Sequence, residues 1–161
     1  MRKVILILFS FVVWLLLTWT TNVQNLIVGG VVSLIVGLIF GNLFVESPAK
    51  VFQLGRWFWL ILYIPVFTWE MAKANFDVAY RVLHPKMPIT PGIVKVKTKL
   101  KSEMGKVFLA NSITLTPGTF TIDLKDNILY IHWINVRYKD IDEATKDIVG
   151  RFEKYLIKIF D

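Results

Sequence analysis

LIVGGVVSLIVGLIFGNLFV, Leu26 to Val45, is 20 residues without a charge. At about 1.5 Å per residue a helix of that length crosses about 30 Å of hydrocarbon. Upstream, VILILFSFVVWLLLTWT, Val4 to Thr20, gives 17 more uncharged residues, just enough for a second crossing, and the polar TNVQN between the two is a turn. The pair reads as a transmembrane helical hairpin over residues 1–47. Arg2 and Lys3 before the first helix, against an uncharged turn, place the N-terminus in the cytoplasm and return the chain there at Glu46. A cleaved signal peptide would need small residues where Thr18-Trp19-Thr20-Thr21-Asn22 stands, so the first helix is expected to stay. On the second helix Gly29, Ser33, Gly37 and Gly41 recur at steps of four. That bare face admits another backbone, from the first helix of the same hairpin or from a different protein of a complex.

Of the 19 basic and 12 acidic residues, only Arg2 and Lys3 precede Glu46, although hydrophobic residues make up 55% of the chain. The formal charge of +7 is what the positive-inside rule gives a membrane protein facing the cytoplasm, and no nucleic-acid partner is expected. Without cysteine there is no disulfide framework, thiolate metal cluster or cysteine nucleophile, and the two histidines, His84 and His132, lie far apart in sequence.

After an ESPAK break, residues 48–85 form a membrane-proximal segment. RWFWLILYIPVFTWEMAKANFDVAYRVLHP, Arg56 to Pro85, begins apolar and ends charged. Its uncharged core, Trp57 to Trp69, is short for a span and contains Pro65, so a kinked helix lying in the interface is expected, with a third span as the alternative. Glu70, Lys73, Asp77 and Arg81 form an ion-pair ladder along one face, with Ala72, Phe76, Ala79 and Leu83 opposite.

From Ile93 the period becomes two. Val94, Val96, Thr98 and Leu100 point one way and Lys95, Lys97, Lys99 and Lys101 the other, a half-buried strand with a basic outer face. Ser102-Glu103 starts a short helix expected to end near Asn111. Phe120, Ile122 and Leu124 alternate in a second strand, Lys125-Asp126-Asn127 makes a turn, and ILYIHWIN, Ile128 to Asn135, is a third strand. An amphipathic helix over Asp140 to Phe160 covers the sheet, with Ile141, Ala144, Ile148, Phe152, Tyr155 and Ile159 on one face. Residues 92–161 are thus a small cytoplasmic α+β domain, β-α-β-β-α, close to the lower size limit for independent stability and in need of the preceding helix or a neighbour.

ANSITLTPGT, Ala110 to Thr119, joins the short helix to the hairpin. Asn111 suits a helix C-terminus, Thr116-Pro117-Gly118-Thr119 has Pro and Gly at the central positions of a type II turn, and Thr114, Thr116 and Thr119 can satisfy backbone groups in the loop between. A hydroxyl nucleophile would need a base, and His132 lies on the strand face opposite Leu129, Ile131 and Trp133, so no enzyme activity, catalytic residue or metal site is expected.

The order ANSITLTPGTFTIDL followed by ILYIHWINV resembles the signature of the E subunit of Mrp-type (Mnh-type) multisubunit sodium/proton antiporters. The likeness extends to the N-terminal helix pair, the WFWLILYIPVFTWEMAKANFDVAYRVL helix and the terminal helix. The resemblance implies an accessory subunit of a plasma-membrane cation/proton antiporter, with the other membrane subunits as partners, no cofactor, and the motif as a structural turn or a partner contact. The residues agree, since no Asp, Glu, Lys or His occurs between Val4 and Val45 to carry a proton or cation. Glu70 is the acidic candidate near membrane depth, and with Lys73 it reads as a structural ion pair, the alternative being an ion relay. A further alternative is a membrane-anchored binding module using the basic strand face.

Overall fold

The computed structural model describes residues 2–20, 22–44, 53–138 and 140–161. ESPAK, with the expected boundary at 47/48, lies outside the described residues. The chain forms two compact units, Met1–Gln53 and Leu54–Asp161.

The first unit is two antiparallel helices, α1 (Arg2–Thr18) and α2 (Val23–Phe44). Asn22 starts α2 three residues before the expected position, its Oδ1 accepting from the Gln24 N–H at 3.3 Å. Gly29, Ser33, Gly37 and Gly41 are all buried. A Cβ on Gly29 would overlap the Trp14 indole, one on Gly37 would overlap Ile7 and lie 3.0 Å from the Lys3 carbonyl, and one on Gly41 would lie 2.6 Å from Lys3 Cα. The small-residue face is therefore occupied by α1 of the same chain. Trp14 Nε1 donates to the Asn25 carbonyl at 3.1 Å and ties the pair at its loop end. The other faces of α2 expose Val31, Leu34, Ile35, Leu38 and Ile39. Among the described residues, α2 over Val23–Asn42 is the one helix long and apolar enough to cross a membrane, and α1, at 17 residues, is just below that length.

The second unit contains α3 (Leu54–Leu83), β1 (Gly92–Lys97), α4 (Glu103–Leu115), β2 (Thr119–Lys125), β3 (Ile128–Trp133), α5 (Ile141–Ile148) and α6 (Gly150–Phe160). Its antiparallel sheet has the order β1-β3-β2. Val94, Val96, Thr98 and Leu100 are buried and the four alternating lysines exposed, as the period of two requires. Leu129, Ile131 and Trp133 of β3 join the same core, with Leu109 and Ile113 of α4 and Ile148, Phe152 and Leu156 of α5 and α6. The α+β part draws on the preceding helix for its core: α3 packs into it, and Tyr63 there is 6% exposed.

Three local expectations are corrected. In β2 a bulge between Thr121 and Asp123 breaks the alternation, so Phe120 and Ile122 stand on the solvent side and only Leu124 packs on the core. The short helix does not stop at Asn111 but runs to Leu115, because burial of Ser112 and Ile113 outweighs the end preference of asparagine. The terminal helix is divided into α5 and α6 at Val149. That residue is itself helical and fully buried, Leu156 takes a core position, and Ile141 is left exposed.

Both outer strands are covered at their edges. The Lys97 N–H of β1 donates to Thr145 Oγ1 of α5 at 3.0 Å, and the Thr121 N–H of β2 donates to Thr114 Oγ1 of α4 at 3.2 Å. A helix threonine thus satisfies a strand donor that would otherwise be open to another chain.

Candidate functional site

Helix α3 presents Arg56, Trp59, Leu60, Tyr63, Phe67, Glu70, Ala74, Asp77 and Arg81 at spacings of three and four, and this face meets the α+β part along nearly its whole length. Arg56 Nη1 donates to the Ile159 carbonyl at 2.5 Å. Phe67 and Tyr63 pack on Phe152, with ring centroids 6.2 and 6.4 Å away. The opposite face exposes Phe58, Ile61, Ile64, Trp69, Phe76, Tyr80 and Leu83. The charge ladder is thus turned inward and the apolar face outward. Pro65 lies inside the helix on the exposed side, where it leaves the Ile61 carbonyl without its usual donor.

The centre of the contact is Tyr63 Oη and Ser112 Oγ, 2.5 Å apart and buried. Ser112 Oγ also donates to the Phe108 carbonyl at 2.6 Å, so its proton is spent and the Tyr63 hydroxyl is the donor to Ser112. The serine of ANSITLTPGT is therefore the residue that receives α3. The threonines serve the backbone. Thr114 Oγ1 donates to the Ala110 carbonyl, while Thr116 and Thr119 Oγ1 each reach the Ile113 carbonyl at 2.7 Å. Asn111 is exposed on α4.

The Thr116-Pro117-Gly118-Thr119 turn is of type II, with Gly118 at φ +90° and the Thr119 N–H donating to the Thr116 carbonyl at 3.3 Å. The Ile134 N–H donates to the Gly118 carbonyl at 2.9 Å. A Cβ on Gly118 would lie 2.9 Å from Ile134 Cγ2 and 3.2 Å from Val78 Cγ2, so glycine is required both by its backbone angle and by the close approach of α3.

Beside the turn is a cleft of about 350 Å³ in which charges of alternating sign meet. Glu70 Oε1 is 2.5 Å from Lys73 Nζ, and its Oε2 is 3.6 Å from Arg151 Nη1. Arg151 Nη2 is 2.6 Å from Asp147 Oδ1, and Arg137 stands 4.0 Å from Asp147 Oδ2 and 3.7 Å from Asp77. Arg81 closes the series on Asp77 with two hydrogen bonds of 2.8 and 3.0 Å. Those bonds from Arg81 hold the Asp77 carboxyl below the usual carboxylate range, helped by the positive charges of Arg81 and Arg137 and opposed by partial desolvation.

The expected pair Glu70 and Lys73 is therefore present, but it is one link of a longer series joining α3 to the segment after β3, to α5 and to α6. Sequence reading missed Tyr63, Ser112, Arg137, Asp147 and Arg151. Asp147 and Arg151 carried a signal in their i, i+4 spacing and opposite charge, whereas the Tyr63–Ser112 contact spans 49 residues and has none. His132 is exposed on the far side of the sheet, away from these hydroxyls. No group of three or more metal-ligating side chains occurs among the described residues.

A family model described as a Na+/H+ ion antiporter subunit matches residues 7–159. The chain is 41% identical over 110 residues to the Na+/H+ antiporter E subunit of Alkalihalophilus pseudofirmus, covering 67% of this chain and 68% of that one. It is 31% identical over 159 residues to the corresponding E subunit of Bacillus subtilis, with 98% and 97% covered. Among solved structures it matches a chain of the membrane-bound sulfane sulfur reductase, an archaeal respiratory membrane complex, at 44% identity and a TM-score of 0.86 over 99% of both chains. The family match over residues 7–159, together with 31% identity over nearly the full length of both chains, shows that the chain belongs to the family of Na+/H+ antiporter E subunits.

Proposed function

We propose that this chain is an accessory, non-conducting subunit that anchors and orders a multisubunit cation/proton antiporter, bound to its other membrane subunits and to the lipid bilayer. One observation carries the reading: Glu70, the acidic side chain nearest the apolar part of α3, is turned toward its own domain and engaged by Lys73 and Arg151. A relay group needs an open route on both sides, and in this reading the two cations of its own unit give Glu70 a structural task, as links of an ion-pair series. The uncharged run from Val4 to Val45 offers no ion route in the helix pair either.

In this reading α1 and α2 cross the plasma membrane as a hairpin with both ends inside, and residues 92–161 are cytoplasmic. Helix α3 lies in the interface instead of spanning. Supporting this, the α+β part packs on it from Arg56 to Asp77, and a span would carry Arg137, Asp147 and Arg151 into hydrocarbon. Labelling of single cysteines at Lys99 and Asn22 from opposite sides of a sealed membrane tests the topology. Labelling of both from the same side overturns it.

The likeness to the reductase chain favours a second reading, in which the complex served is a respiratory membrane complex: identity there is 44% over 99% of the chain, against 31% over 98% for the B. subtilis antiporter protein. Purifying the tagged protein from its native membrane and identifying the subunits that accompany it separates the two.

A further inference from the structure

The outer face of the sheet is a surface that its own chain leaves open. Opposite residues in adjacent strands share a face, so Ile93, His132 and Phe120 form one row, Lys95, Tyr130 and Asp123 the next, and Lys97, Ile128 and Lys125 the third. The first row sets the exposed His132 between two apolar side chains, and the bulge adds Ile122 beside it; Ile93 is 65% exposed, Phe120 55% and Ile122 49%. In the middle row the Lys95 ammonium lies 5.4 Å from the centre of the Tyr130 ring. The third row is basic at both ends, Lys97 lying 3.5 Å from Asp142 at the sheet edge, and Lys99 and Lys101 continue the charge beyond the strand. The face is thus graded from apolar to basic over the length of its strands. A bulge that turns Phe120 and Ile122 outward is not needed by the core, which keeps Leu124.

Direction decides what can cover it. Helices α4, α5 and α6 lie on the inner face of the sheet, and α3 packs on α6 from the far side of that layer. The outward faces of α3 and of the sheet therefore lie on opposite sides of the unit. With α3 on the bilayer, the sheet face is directed into water, where contiguous exposed aromatic and branched side chains mark a protein contact.

We infer that the outer face of this sheet is a docking surface for a soluble segment of another subunit, apolar where it meets Ile93, Phe120 and Ile122 and acidic where it meets Lys95, Lys97 and Lys125. The direction of the face rests on the interfacial placement of α3 proposed above; the gradation does not. Charge complementarity of this kind fixes register and suppresses wrong partners.

The test uses the whole complex in its native membrane and exploits the absence of native cysteine. A benzophenone is attached to Phe120→Cys and, in a separate protein, to Ile61→Cys on the outer face of α3. The expected result is a Phe120→Cys adduct on a segment of another subunit that contains several carboxylates. The adduct should fall about tenfold or more when Lys95→Glu and Lys97→Glu are added, because like charges then face one another. An adduct with lipid, with a second copy of this chain, or with a segment lacking carboxylates overturns the inference, as does an unchanged yield in the charge-reversed protein. The Ile61→Cys probe reports separately. An adduct there with lipid or with an apolar membrane segment of another subunit supports the placement of α3 whatever Phe120→Cys finds, and an adduct there with a soluble protein segment removes that placement while leaving the Phe120→Cys outcome to decide the docking surface.

Discussion

Replacing the two partners of the buried Tyr63–Ser112 contact should have unequal effects, and the inequality follows from the direction of one proton. Ser112 Oγ donates to the Phe108 carbonyl and accepts from Tyr63. In Tyr63→Phe the serine keeps its bond to Phe108 and loses only a donor, so the loss is that of an ordinary hydrogen bond, about 0.5–1.5 kcal/mol. In Ser112→Ala the Tyr63 hydroxyl stays buried against α4 with no acceptor, which costs about 1–3 kcal/mol, and a small void is added. Once Tyr63 is phenylalanine, Ser112→Ala should cost little more, because the hydroxyl that suffered is gone. The cycle should therefore be markedly non-additive, with the double variant close to Tyr63→Phe. Chemical unfolding of the full chain in detergent, followed by amide exchange in α3 and α4, measures it. Equal and additive losses would refute the assigned donor, and no loss in either would show that the aromatic packing on Phe152 alone holds α3.

Gly118→Ala should destabilise the unit by about 2–4 kcal/mol, from a left-handed backbone angle together with a Cβ pressed between Ile134 and Val78, and a thermal scan without change would remove that argument. Gly37→Leu should stay in the membrane yet lower recovery with partner subunits and antiport together, through separation of α1 from α2, whereas exposed Leu38→Ile should change neither. Glu70→Gln should reduce recovery of the complex modestly, in keeping with partly exposed pairs worth up to about 1 kcal/mol each; normal abundance without transport would instead install the relay. The folded carboxyl of Asp77 titrates below its unfolded value, so its stabilisation is complete above about pH 4 and is lost as the pH falls through the folded value. Melting curves of Asp77→Asn should be flatter than those of the parent over that acid range.

Periodicity made much of this legible. The alternation from Val94 to Leu100 gave the inner and outer faces of the first strand correctly, and TPGT gave the turn type, since only glycine suits a φ of +90° there. What escaped was non-local. Asn111 has the side chain of a helix end, but Ile113 two residues later is needed in the core, and tertiary burial extended α4 past it. The β2 bulge leaves no sequence mark, because Phe120, Ile122 and Leu124 alternate equally well with or without it. The cleft charges come from three helices and the segment after β3, whose meeting depends on how α3 lies on α6, and no spacing within one element records that.

The orientation of α3 shows why the ladder alone was ambiguous. An amphipathic helix beside a membrane can direct its charges to water and its apolar side to lipid, and the sequence fits that picture. Here the inward face combines an apolar half, Trp59 to Phe67, with a charged half, Glu70 to Arg81, while the outward face is apolar in both. The charged half is matched by Arg137, Asp147 and Arg151, so the helix does not rely on water to solvate it. Internal pairing frees the whole outward surface for lipid or for a membrane partner. It also makes the α+β part inseparable from the helix: removing α3 would expose Phe152 and Tyr155 and leave Arg151 and Arg137 without the carboxylates of Glu70 and Asp77. A soluble fragment beginning at Gly92 is therefore expected to aggregate, and one beginning at Leu54 to retain the fold in detergent. Sedimentation of the two fragments decides it, since a monomeric, cooperatively melting Gly92 fragment would mean that α3 is an attachment and not part of the core.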